Sequence, residues 1–182
     1  MTPITILNST QIDLTLKRLA RQLIENHNDF SNTAILGLQP RGIYFAKRIV
    51  DICSEITGRK IELGSLDITF HRDDFRRRDS PLQPNKTEID FLIEGKDVVL
   101  VDDVLYTGRS VRAGLDAMLG FGRPKSVELM CLIDRRFHRD LPIQPNYVGR
   151  QIDSIVEERV SVEWKGTEQE DQVVLYIPNK SA

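Results

Sequence analysis

Cysteine is scarce: two stand among 182 residues, Cys53 and Cys131, each alone inside a periodic apolar segment. Single thiols in that setting are expected to be buried and free, which argues against a disulfide framework or a thiolate metal centre. No uninterrupted apolar run approaches the roughly 20 residues that span a bilayer, so no transmembrane helix and no membrane partner are expected. The opening MTPITILNSTQIDL has no basic segment leading into an apolar one, so no secretory leader is expected and the chain reads as cytoplasmic. Charge of neither sign dominates, with 25 Lys and Arg against 27 Asp and Glu and a net charge of −2. That balance excludes a dedicated nucleic-acid binder built on overall basicity, although a local patch is still allowed. Internal repeats and low-complexity tracts are missing too.

What is present suits one globular α/β domain over residues 1–182, with 40% apolar and 29% charged residues. STQIDLTLKRLARQLIEN, 9–26, puts Ile12, Leu16, Leu19, Ala20, Leu23 and Ile24 on one helical face. Thr33–Leu38 reads as a strand closed by Gln39-Pro40-Arg41-Gly42, and the helix after it buries Ile43, Ala46, Ile49, Val50 and Cys53 before Gly58. Strands are expected over Ile61–Phe70, Asp97–Val101 and Ser126–Ile133, with shorter ones at RVSVEW and VVLYIP near the end. Strands alternating with helices imply a parallel sheet covered on both faces. Residues 71–86, HRDDFRRRDSPLQPNK, are polar, charged and twice interrupted by proline, which suits an exposed loop.

The most informative stretch is VVLVDDVLYTGRSVRAGLDAML, 98–119. Apolar residues run into Asp102 and Asp103, and a small polar loop precedes a helix beginning near Gly108–Ser110. In an open parallel sheet, ligands gather at the carboxyl ends of strands, where loops lead into helix N-termini. The backbone amides and the positive end of the helix dipole there suit a phosphate. The hydroxyls of Thr107 and Ser110 add donors, and glycine at 108 lets the backbone approach the ligand. The carboxylates beside this cradle would face sugar hydroxyls or a hydrated cation. A Walker pair is excluded, because GLQPRGIY at 37–44 has Ile-Tyr where Lys-Ser/Thr is required; GFGRPK at 120–125 lacks the third glycine of a dinucleotide fingerprint.

VVLVDDVLYTGRS, 98–110, resembles the phosphoribosyl-pyrophosphate (PRPP) motif of type I phosphoribosyltransferases. Together with RGIYFAKRI, DITFHRDDF, GRPKSVEL and LIDRRFHRDLPIQPNYVGR, it is similar in order and spacing to the family of bifunctional pyrimidine-operon attenuation regulators with uracil phosphoribosyltransferase activity. The likeness weakens after Arg150.

The resemblance implies the type I phosphoribosyltransferase fold, a central parallel sheet flanked by helices, with 71–86 as a flexible hood in which Arg72 is the basic residue of most interest. It implies conversion of uracil and PRPP to UMP and pyrophosphate. It puts Asp102 and Asp103 at the ribose as catalytic residues, and Val104, Leu105, Tyr106, Thr107, Gly108, Arg109 and Ser110 around the nucleotide and its 5′-phosphate. Pro40 and Arg41 fall in its pyrophosphate turn, where Gln39-Pro40 replaces the commoner Lys-Thr and a cis bond is expected. Arg135, with Arg136 as the alternative, and Val160 fall near the base. Mg²⁺ is implied as cofactor, held mainly through PRPP with no direct protein ligand assigned. Purine-base transfer on the same fold, or nucleotide sensing without turnover, are the alternatives.

The family's second implied role is binding the pyr messenger RNA leader when loaded with UMP, which terminates transcription early. Lys17, Arg18 and Arg21 share the helix face opposite the apolar stripe, and Arg139 and Arg150 lie beyond the Asp-Arg pair. A homodimer or larger homo-oligomer is also implied.

Overall fold

The computed structural model describes residues 2–73 and 84–178. Strand β1 (Thr2–Leu7) leads into helix α1 (Ser9–His27), then β2 (Thr33–Leu38), α2 (Gly42–Thr57) and β3 (Glu62–Leu66). Further along come β4 (Asp97–Leu105), α3 (Arg109–Met118), β5 (Ser126–Arg135), β6 (Tyr147–Ile152), β7 (Arg159–Glu163) and β8 (Gln172–Ile177). Five strands form a parallel sheet in the order β3-β2-β4-β5-β6. The other three form an antiparallel sheet in the order β1-β8-β7.

The parallel sheet is buried on both faces, and its side chains alternate between two cores as strand geometry requires. Ile35, Val99, Val101, Met130 and Leu132 face α1 and α2, in a core that also takes Leu7, Val162, Trp164 and Val173 from the antiparallel sheet. Leu36, Leu38, Leu100, Leu129 and Cys131 face α3 with Val111, Ala113 and Met118. Both thiols are buried and free, as expected, and burial pushes Cys53 up to about 12.

Helix α1 starts at a capping box: the Asn8 side chain accepts from the Gln11 amide at 2.9 Å, and Gln11 returns the bond at 3.0 Å. Helix α2 ends at Gly58 in the left-handed region, φ 66°. Trp164, 1% exposed, stacks on Phe45 of α2 and lies under the Arg48 guanidinium, 4.8 Å from its ring centre. Arg48 in turn holds Asp171 through two bonds of 2.6 and 2.8 Å, so the β7–β8 connection is fastened to α2 at both ends.

Several sequence boundaries move. The strand expected over Ile61–Phe70 stops at Leu66, because the Asp67 carboxylate accepts from the Thr69 amide (3.1 Å) and hydroxyl (2.6 Å) and bends the chain into a 3-10 turn. Strand β4 runs to Leu105 and not to Val101, so the two aspartates lie within it. Strands β1 and β6, and the separate antiparallel sheet, were not anticipated: both strands are at sheet edges and alternate weakly. The expected hood at 71–86 falls mainly outside the described residues. No helix among the described residues is long and apolar enough to cross a membrane.

Candidate active site

Parallel register carries the ends of β4 and β5 to one edge of the sheet, where β4 passes into α3. A cavity of about 180 Å³ opens there, lined by Asp102, Val104 to Val111, Arg72 and Asp73. Gly108 stands before the first turn of α3 with φ 91°, a conformation glycine adopts without strain. A Cβ at 108 would also meet Ile143 Cδ1 at 3.2 Å, so glycine is required by backbone conformation and by the loop behind it. These two demands stand beside the expectation that glycine lets the backbone approach a ligand.

The cradle is braced from that loop. The amides of Asp140 and Leu141 donate to the Thr107 carbonyl at 3.0 and 3.2 Å, and Arg139 donates to the Tyr106 carbonyl while pairing with Asp134. The Arg109 side chain, at the cavity wall, donates to Asp140, at 2.9 Å, and to Asp73. The Arg109 amide donates weakly to Thr107 Oγ1 at 3.4 Å. What faces the cavity is therefore a helix N-terminus flanked by two hydroxyls, a combination suited to an oxyanion.

The acids sit on the other side. Neighbouring residues of a strand point to opposite faces, and Asp102 lines the cavity while Asp103, 8% exposed, turns to Arg41. Asp102 Oδ1 accepts from the Asp103 amide at 3.0 Å. Burial, and after it the charge of Asp103, holds Asp102 well above the usual carboxylate range. Burial raises Asp103 too, against the lowering pull of Arg41. The charge of Arg72 lowers Asp102 in turn, yet both neighbouring carboxylates stay raised, an arrangement that favours a ligand bringing positive charge or donor hydroxyls.

Arg41 occupies the turn between β2 and α2, beside the cis Gln39–Pro40 bond. Its Nε lies 3.4 Å from Asp103 Oδ2, and its Nη2 donates to the Val162 carbonyl and, at 3.2 Å, to Glu168 Oε1. Gly42 lets this turn close on the acids: a Cβ there would stand 2.5 Å from the Val101 carbonyl oxygen and 3.0 Å from Asp102 Cα.

Across the cavity mouth, Arg135 lies 3.8 Å from the centre of the Tyr106 ring. It is 6% exposed and donates to Ser154 Oγ (2.7 Å) and to the carbonyls of Ile155 (2.9 Å) and Glu158 (3.0 Å). Arg136 is exposed and paired with Asp153. Of the two arginines, Arg135 is thus the one built against the cavity wall.

The Phosphoribosyl transferase domain family matches residues 5–166 of this chain. The chain belongs to that family. Among curated relatives, the Bifunctional protein PyrR of Desulfosudis oleivorans is 43% identical, with 95% of this chain and 96% of that one covered. The protein of the same name from Bacillus cereus is 40% identical, over 94% and 96%. Solved phosphoribosyltransferases share the fold. A hypoxanthine-guanine enzyme from Bacillus anthracis gives a TM-score of 0.73 at 17% identity, covering 96% of this chain and 98% of that one. A hypoxanthine enzyme from Staphylococcus aureus gives 0.70 at 18%, covering 93% and 90%. At such identities the likeness speaks for the fold alone.

For this phosphoribosyltransferase-family chain, the structure gathers most of the residues singled out in the sequence. Asp102, Val104, Leu105, Tyr106, Thr107, Gly108, Arg109 and Ser110 line one cavity, with Arg72 among them, while Asp103 and Arg41 adjoin. Val160 does not join them: it lies on β7, opposite Leu175, packed against the larger core. Nor do the basic residues form one group. Arg18 donates to the Val148 and Gly149 carbonyls, Arg150 to the Ile6 carbonyl, and Lys17 pairs with Asp13 at 2.7 Å, all around α1 and the β6 edge. Arg21 extends from the same helix. Arg139 is committed instead to Asp134 and the Tyr106 carbonyl, so it braces the cradle and is not available to phosphates. Sequence reasoning missed Asp73 and Glu168, which tertiary contacts with Arg109 and Arg41 bring to the site, and Val111, which continues the cradle into the first turn of α3.

Proposed function

We propose that this chain is a uracil phosphoribosyltransferase that also acts as a UMP-responsive, RNA-binding regulator of pyr transcription. The observation that carries the reading is the joining of an oxyanion cradle at Thr107–Ser110 to the Asp102–Asp103 pair and Arg41. Likeness at 43% identity to a protein named Bifunctional protein PyrR supports it.

In this reading the 5′-phosphate of PRPP is held by the amides and hydroxyls of residues 107–110. Asp102 and Asp103 face the ribose hydroxyls, and their negative charge favours the cationic character that develops at C1′. Arg41, with its planar fork, holds the pyrophosphate. The C1′–O bond to pyrophosphate breaks as the bond from C1′ to uracil N1 forms, and the N1 proton is released. The chain's contribution is placement and charge; no side chain is assigned as general base. Val104 and Tyr106 wall the space for the base, and Arg135 fixes the Tyr106 ring.

The donor set fits Mg²⁺. Among the described residues no group of three or more His, Cys, Asp or Glu side chains could hold a metal alone. Mg²⁺ is ordinarily held by one or two carboxylates together with substrate phosphates, and Asp102 and Asp103 supply hard oxygens of that kind. When bound with PRPP, the ion would neutralise charge on the departing pyrophosphate.

The test is incubation with PRPP and Mg²⁺ and each base separately. UMP from uracil is the expected product. Purine nucleotide instead, or PRPP binding with no product, would overturn the assignment. For regulation, α1 and the β6 edge carry Lys17, Arg18, Arg21 and Arg150 as the RNA-facing cations. Binding to a pyr leader should strengthen with UMP and weaken with salt; binding indifferent to both would refute this half of the proposal. A homo-oligomer of at least two chains is part of the same reading, checked by light scattering.

A further inference from the structure

Arg41 is the cation of the pyrophosphate turn in the reading above, on which this inference rests. What surrounds the guanidinium comes from elsewhere: Asp103 of β4 on Nε, and the Val162 carbonyl and Glu168 on Nη2. Glu168 belongs to the β7–β8 connection of the antiparallel sheet, far from the turn in sequence.

The two oxygens of Glu168 divide their work. Oε2 accepts from the Trp164 amide at 3.0 Å and from the Thr167 hydroxyl, which fixes the carboxylate within its own turn. Oε1 is left to reach Arg41. The turn itself does not drift, since Trp164 is buried against Phe45 and Arg48 grips Asp171. The Thr167 hydroxyl bond first, then the Trp164 amide and Arg41, lower the Glu168 pKa against the effect of burial, which favours its ionised form opposite the guanidinium.

We propose that Glu168 is the positioning residue of the pyrophosphate subsite, holding Arg41 in the orientation from which it meets the diphosphate of PRPP. The antiparallel sheet thereby takes part in donor binding without touching the donor. Two carboxylates share the guanidinium from different sides. Asp103 draws Arg41 toward the acid pair, and Glu168, together with the Val162 carbonyl, holds the other end of the guanidinium against that pull.

Glu168→Gln separates positioning from turn structure. The amide oxygen can still accept from Trp164 and Thr167, but an NH₂ group then faces the Arg41 donors and cannot bind them. Calorimetry with PRPP and Mg²⁺, steady-state rates and a thermal melt are measured on wild type, Glu168→Gln, Arg41→Gln and the double variant. Glu168→Gln should weaken PRPP about three- to fivefold, the range of a half-exposed ion pair, with kcat and the KM for uracil within about twofold and an unchanged melt. In the Arg41→Gln background the further loss should vanish, the signature of one coupled pair. Glu168→Asp, which keeps the charge on a shorter arm, should recover part of the affinity.

Equal PRPP affinity in wild type and Glu168→Gln would overturn the inference. So would a loss of the same size with Arg41 already removed, or a loss shared equally by uracil and accompanied by a lowered melt. Wild type that binds PRPP but makes no UMP would refute the uracil reading and leave the Glu168 comparison standing as measured.

Discussion

Gly42→Ala puts the close approach of α2 to the acids to a direct test. The added Cβ would stand 2.5 Å from the Val101 carbonyl oxygen, about 0.9 Å inside ordinary van der Waals contact, and 3.3 Å from Asp102 Oδ1. Both neighbours at closest range are backbone, so no rotamer change relieves the clash and the helix start must back away from β4. Phe45, Ala46 and Ile49 are fully buried beneath that helix, and overpacking of this kind costs about 1–3 kcal/mol. For a domain of this size, that corresponds to a melting temperature lower by roughly 2–12 °C. Arg41 moves with the helix, and a misplacement near 1 Å at a catalytic site costs about a hundredfold in rate. Initial rates of UMP formation at saturating and limiting PRPP, with a thermal melt, read both effects. Gly120→Ala is the control, having no heavy atom within 4 Å of its Cβ and no positive φ, and should leave rate and melt unchanged. Wild-type kcat/KM for PRPP in Gly42→Ala would refute the claim that this contact sets the site.

Asp102→Asn should raise stability at neutral pH while crippling turnover. A carboxylate whose folded pKa is raised adds stability in full below its unfolded value near 3.8 and loses that contribution as pH rises through the folded pKa. The asparagine variant should therefore melt above wild type at pH 7, with the gap closing toward pH 3.5; a variant melting lower at pH 7 would contradict the burial argument. Arg135→Met keeps bulk under Tyr106 but strands Ser154 and the carbonyls of Ile155 and Glu158, and should cost about 1–3 kcal/mol and loosen residues 154–158 to hydrogen exchange. Unchanged protection would show that Arg135 is no brace. Lys17→Gln should lower the salt slope of leader binding by about 0.7–0.9, one phosphate contact, without changing UMP synthesis; an unaltered slope would take Lys17 off the RNA face.

The helices and the central strands were legible because their physics is local. Amphipathic spacing gave α1 and α2 their buried faces, and Gly58 marked the end of α2. The cradle was equally plain, since a strand, two acids, a glycine and small hydroxyls follow one another within the sequence. Strands β1 and β6 hid because few of their residues face a core: β1 is exposed along most of its length. The misplaced end of the third parallel strand turned on one side chain, Asp67, competing for the backbone. Glu168, and the bracing role of Arg139, were not legible, because Glu168 acts on Arg41 and Arg139 on the Tyr106 carbonyl, each more than thirty residues away. Arg139 in particular has the composition of a nucleic-acid contact and the position of a brace.

The acid pair explains why the rest of the site is arranged as it is. The carboxylates of neighbouring residues repel each other; Arg41 pairs with Asp103, and the charge of Arg72 eases Asp102 without offsetting its desolvation. A protein tuned only for stability would replace one of them, so the pair makes sense as a site left electrostatically incomplete until a ligand arrives. The completing ligand must supply hydroxyl donors or positive charge beside the acids and negative charge at the helix N-terminus, a few residues away along the same strand and loop. A phosphorylated ribose escorted by Mg²⁺ meets both demands at once, whereas a free phosphate meets one and a bare sugar the other. The same imbalance explains the care taken over Arg41: were it free to collapse onto Asp103 and Asp102, it would neutralise the acids and remove the reason for the donor to bind. Holding that cation from a second sheet keeps the charge pattern open.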